Sequence, residues 1–68
     1  MSNFDYKAGL ESDDYFLIAK AHVYELVIEK GQLYQQIRIH KDEYPMLKVI
    51  DDGYIFKWVQ EARKELKI

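Results

Sequence analysis

The pattern of apolar and polar positions is most informative in two short segments, Tyr24-Glu25-Leu26-Val27-Ile28 and Gln32-Leu33-Tyr34-Gln35-Gln36-Ile37-Arg38-Ile39, on either side of Glu29-Lys30-Gly31. The pattern predicts a β-hairpin. Three loop residues ending in Gly suit a type I turn whose last residue is left-handed and forms a bulge. Residues equidistant from Lys30 then oppose one another and share a face. One face pairs Val23 with Ile37, Val27 with Leu33 and Ala21 with Ile39, interrupted by Glu25 and Gln35. The other pairs Lys20 with His40, His22 with Arg38, Tyr24 with Gln36 and Leu26 with Tyr34. The two arms agree on which face is the more apolar, as a true register requires. Tyr15 to Ala21 reads as a first strand running into Val23, with a bulge near residues 19–22, which makes an antiparallel meander of residues 15–39.

A helix competes for the first part of that meander. Ser12 or Asp13 would cap it and Gly31 would stop it in the left-handed conformation. It would put Ile18, His22, Glu25 and Glu29 on one stripe, leaving Ile18 on the wet side. The richness of residues 15–28 in Tyr, Phe, Val and Ile also favours the strand.

After the hairpin, Asp42 reads as a helix cap, Pro45 as a first-turn residue and Gly53 as a stop. The rival is a second hairpin, 46–50 with 54–59, around Asp51-Asp52-Gly53. Near the C-terminus, Tyr54, Ile55, Trp58, Val59, Ala62 and Leu66 recur at helical spacing, opposite Lys57, Gln60, Arg63, Lys64 and Lys67. Phe56 alone falls outside the stripe.

The expected fold class is therefore α+β, a small antiparallel β-meander or hairpin (15–39) packed against C-terminal helical segments (43–67). The alternative is an all-α small helical bundle. Residues 1–14 read as an N-terminal arm with Phe4, Tyr6 and Leu10 pinned to the body, and 15–68 as a single globular domain. The expected core is Leu17, Val23, Val27, Leu33, Ile37, Ile39, Leu47, Ile50, Ile55, Trp58, Val59 and Ala62.

Composition bounds what such a domain can do. A chain of 68 residues buries only roughly 60% of the surface its unfolded form exposes, enough for one thin core. It has no Cys, which excludes disulfides and thiolate zinc sites and fits a reducing, cytoplasmic setting. Six Tyr, three Phe and one Trp supply burial instead, with a surplus for an interface or a homodimer. No apolar run approaches the roughly 18 residues of a membrane span, and no stretch reads as a signal peptide. The net charge of −2 argues against a general nucleic-acid coat. That sum hides a basic segment, residues 30–41, where Lys30, Arg38 and Lys41 stand without an acid between acidic neighbours on both sides.

Catalytic constellations are lacking. Ser2 and Ser12 are the only aliphatic hydroxyls, and neither has a histidine base nearby in the expected fold. Asp13/Asp14 and Asp51/Asp52 read as caps and turn formers. Gly9, Gly31 and Gly53 are isolated, so they build no phosphate loop. His40, Asp42 and Glu43 lack the spacing of a metal site, and Asp51-Asp52-Gly53 lacks the alternating acids of a calcium loop. No enzyme activity, cofactor or metal is expected.

One constellation remains, the polar hairpin face of Lys20, His22, Tyr24, Tyr34, Gln36, Arg38 and His40, with Lys41 beyond it. Tyr and Arg are favoured anchors of protein interfaces, and aromatics interleaved with cations also suit single-stranded nucleic acid. The sequence thus points to a small non-enzymatic protein-binding module that regulates, inhibits or recruits a macromolecular partner, with single-stranded nucleic acid as the alternative. By analogy of size alone, viral and mobile-element accessory proteins are the expected company.

Overall fold

The computed structural model describes residues 4–67; among them stand four α-helices and one 3-10 turn, and no strand. α1 is Tyr6–Leu10, α2 Tyr15–Ile28, α3 Tyr34–His40 and α4 Asp52–Leu66, with the 3-10 turn Lys41–Glu43 directly after α3. The ends of the expected arm and domain, residues 1–3 with Ser2 and residue 68, lie outside the described residues. The β-meander is overturned. The chain is all-α, and the segments read as hairpin strands are the second half of α2 and most of α3.

Local chemistry explains the reversal. Asp14, one residue beyond the expected caps, stands in extended backbone, and its carboxylate accepts the Phe16 and Leu17 amides at 2.9 and 3.4 Å. Ser12 acts one step earlier, its Oγ accepting the Asp14 amide at 2.9 Å. At the other end Gly31 takes φ 65°, and its N–H donates to the Val27 carbonyl at 3.1 Å, a left-handed helix stop. A hairpin bulge and a helix stop ask the same left-handed glycine of the sequence, so Gly31 could not tell them apart.

The stripe counted against the helix is real, and it is α2's least buried side: Ile18, His22 and Glu25 are half-buried and Glu29 is exposed. Ala19, Ala21, Val23, Tyr24, Leu26 and Val27 fill the rest, more than half the circumference at about 3.6 residues per turn. A helix covered from two sides has no narrow apolar stripe for a periodicity test to find. One cover is α1, where Gly9 lies against Ala21 so closely that a Cβ on Gly9 would stand 2.8 Å from that of Ala21. The Tyr6 hydroxyl donates to the Glu29 carboxylate, which holds the phenol above its ordinary pKa, with lesser help from burial and from neighbouring acids. The other cover is α4, which contributes Ile55, Trp58, Val59 and Ala62 to the core; Ile37 of α3 and Leu47 of the following loop complete it.

The expected helix from Asp42 does not form either. Pro45 forces Tyr44 into extended backbone (φ −119°, ψ 96°), ending the 3-10 turn after one round. Gly53 is no stop but part of the first turn of α4, where Asp51 caps by accepting the Gly53 amide at 2.7 Å. The second hairpin around residues 51–53 is absent with the rest of the sheet. Three residues expected in the core stand out of it: Leu17, Leu33 and Ile39, the last 67% exposed. Tyr24 and Leu26, assigned to the wet strand face, are buried.

Candidate functional site

With no sheet, the polar strand face on which eight residues were to stand together does not exist. Lys20, His22 and Tyr24 belong to α2, Tyr34, Gln36, Arg38 and His40 to α3, and Lys41 to the 3-10 turn. On α2, Lys20 and Tyr24 share one side while His22 points away from both. The Tyr24 hydroxyl donates to Glu61 Oε2 at 3.2 Å, and Lys20 Nζ reaches the same oxygen at 3.8 Å and lies 4.8 Å from the centre of the Phe4 ring. These two residues thus join the N-terminal segment, α2 and α4.

The α3 group is also occupied within the fold. Gln36 Oε1 accepts the Leu33 amide at 2.6 Å and caps α3. His40 Nδ1 lies 3.3 Å from Glu43. Lys41 Nζ donates to Asp52 Oδ1 at 2.8 Å and to the Ile50 carbonyl at 2.9 Å, and Arg38 Nε is 3.7 Å from the other Asp52 oxygen. Asp52 is held below the usual carboxylate range, chiefly by the Lys41 hydrogen bond. Partial desolvation opposes the shift, and the charges of Lys41 and Arg38 reinforce it. Tyr34, half-buried against the core, lines the edge of an open surface.

That surface is a groove of about 370 Å³ between the start of α3 and the middle of α4. Leu33, Tyr34, Phe56 and Val59 supply its apolar lining, and Gln35, Gln60 and Arg63 its polar rim. The rings of Tyr34 and Phe56 meet edge to face, 5.1 Å between centroids and 86° between planes. Leu33 is 46% exposed and Phe56 49%. The polar-face reading missed both. Phe56 did carry a signal, as the one large apolar residue outside the C-terminal stripe; Leu33 carried none once a strand register had placed it inside.

Helical spacing also separates the charges of α4. Glu61 and Glu65 lie on the flank that faces Lys20 and Tyr24, whereas Arg63 shares the opposite flank with Phe56 and Gln60. Lys57 and Lys64 project between the flanks. α3 contains no acid. The groove is therefore lined without a carboxylate, and Arg63 makes no ion pair or side-chain hydrogen bond among the described residues. A second aromatic group, Phe16 with Tyr54 and Trp58 at 5.2 and 4.9 Å, stands on the other side of α4.

Among the described residues no three His, Asp or Glu side chains are placed to hold a metal ion, and no helix is long and apolar enough to cross a membrane. No family model matches the chain, and neither does a curated protein or a solved structure.

Proposed function

We propose that this chain is a small non-enzymatic protein-binding module that regulates, inhibits or recruits a macromolecular partner. The observation that supports it is the groove beside α4, where Leu33 and Phe56 stay about half exposed next to an open cavity. Large apolar side chains gathered at one surface depression favour a partner that covers them. A chain of this size can present a standard interface, roughly 800 Å² on each side. The lack of cysteine fits a reducing cytoplasm, and that location is part of the proposal.

Affinity capture from the native host, with and without nuclease, tests the reading. The expected result is a nuclease-resistant protein that rebinds the purified chain with fixed stoichiometry. Background alone, or recovery abolished by nuclease, would reject it.

A further inference from the structure

We infer that the α3–α4 groove takes a short linear segment of a partner protein, in which an aliphatic or aromatic anchor stands beside acidic residues. The inference rests on the protein-binding reading and names the chemistry of the partner. Its basis is charge complementarity. The anchor would sit against Leu33, Tyr34 and Phe56, and a carboxylate beside it would meet Arg63 at the rim. A guanidinium offers a carboxylate two parallel hydrogen bonds. Among the described residues no acid pairs with Arg63, because Glu61 is turned toward Lys20 and Tyr24. A basic segment would find no carboxylate in the groove lining, and like charge at Arg63 would repel it.

Nucleic acid is the less favoured occupant. Its affinity comes from many phosphate contacts, yet one cation lines this groove and the chain as a whole is acidic. The rings of Tyr34 and Phe56 are also engaged with each other, edge to face.

The test is selection from a displayed library of random linear peptides on the wild-type chain and on Arg63→Glu. Wild-type binders should combine an apolar anchor with Asp or Glu, and should shift amide resonances of residues 33–35 and 56–63. Arg63→Glu should weaken these binders about tenfold or more, and selection on that variant should lose the acidic preference. Lys57→Glu makes the same charge change outside the groove lining and should leave affinity within about twofold. Selected peptides without acids, shifts elsewhere, equal loss in both charge variants, or no binders at all would overturn the inference. So would a single-stranded oligonucleotide that displaces the peptides in a salt-dependent way. A captured host protein whose affinity is unchanged by Phe56→Ser and Arg63→Glu would leave the protein-binding reading standing and remove the groove from it.

Discussion

Lys41 Nζ lies 2.8 Å from Asp52 Oδ1 and donates a second hydrogen bond to the Ile50 carbonyl. One side chain therefore ties the exit of α3 to the first turn of α4 across a stretch that contains no regular helix after Glu43. Asp52 also suits its place, since an acid in the first turn opposes the positive end of the helix dipole. The loop it closes carries Leu47 into the core, so the clamp fixes how α3 and α4 approach and hence the groove between them.

This clamp predicts an acid limb in the stability curve. The Asp52 pKa is lowered in the folded chain, first by the Lys41 hydrogen bond. Its contribution is then complete above the ordinary Asp value of about 3.9 and is lost as pH falls through the lower folded value. The melting temperature of the wild type should fall more steeply below that ordinary value than that of Asp52→Asn. Parallel acid limbs in the two proteins would show that the ion pair adds nothing to stability.

Gly31 provides a second test. Its φ of 65° is costly for any side chain, yet no atom lies within 4 Å of where its Cβ would point. Gly31→Ala should therefore cost only the left-handed backbone penalty, about 1–2 kcal/mol in urea unfolding, with helical circular dichroism retained. A neutral result would mean that α2 can end without the left-handed stop.

What the sequence made legible was the inward positions of α4. The buried stripe of Ile55, Trp58, Val59 and Ala62 could be read from local chemistry, and Gly31 could be read as left-handed but not as a helix stop rather than a hairpin turn. The class of α2 could not be read from periodicity, because α1 and α4 cover it from two sides and its apolar residues surround most of the axis. In α3 and at its N-cap, Leu33, Ile37 and Ile39 fit a strand alternation equally well, and only Ile37 is buried. The groove was hidden for the same reason. It joins Tyr34 to Phe56 across 22 residues of sequence, a contact set by helix packing that no local pattern encodes.

Two truncations separate the helical packing from the hairpin arrangement. Leu26, 2% exposed here, would lie on the wet face of a hairpin, and Ile39, 67% exposed here, would lie inside. Leu26→Ala should cost about 2–5 kcal/mol. Ile39→Ala should stay within about 0.5 kcal/mol of wild type. Urea unfolding of both variants gives the comparison, and the reverse order would refute the helical packing.

The Gly9–Ala21 contact sets helix propensity against packing. Alanine is favoured over glycine by roughly 1 kcal/mol in a helix interior, so Gly9→Ala should strengthen α1 if nothing else touched it. The added Cβ, however, would lie 2.8 Å from Ala21 Cβ, 3.1 Å from the Leu17 carbonyl oxygen and 3.3 Å from the Phe4 ring. The first two belong to α2 and cannot rotate aside, so α1 must lift. A helix of five residues has almost no stability by itself. Lys7 is already exposed, but lifting α1 should open the helical backbone around it to a protease and strain the Tyr6–Glu29 hydrogen bond. Tryptic cleavage after Lys7 should therefore be faster in Gly9→Ala than in wild type. Adding Ala21→Gly removes the closest clash but leaves the Leu17 carbonyl, so it should bring the rate only part of the way back, measured against Ala21→Gly alone. Cleavage of Gly9→Ala at or below the wild-type rate would show that propensity outweighs the contact and that α1 has room to spare on α2.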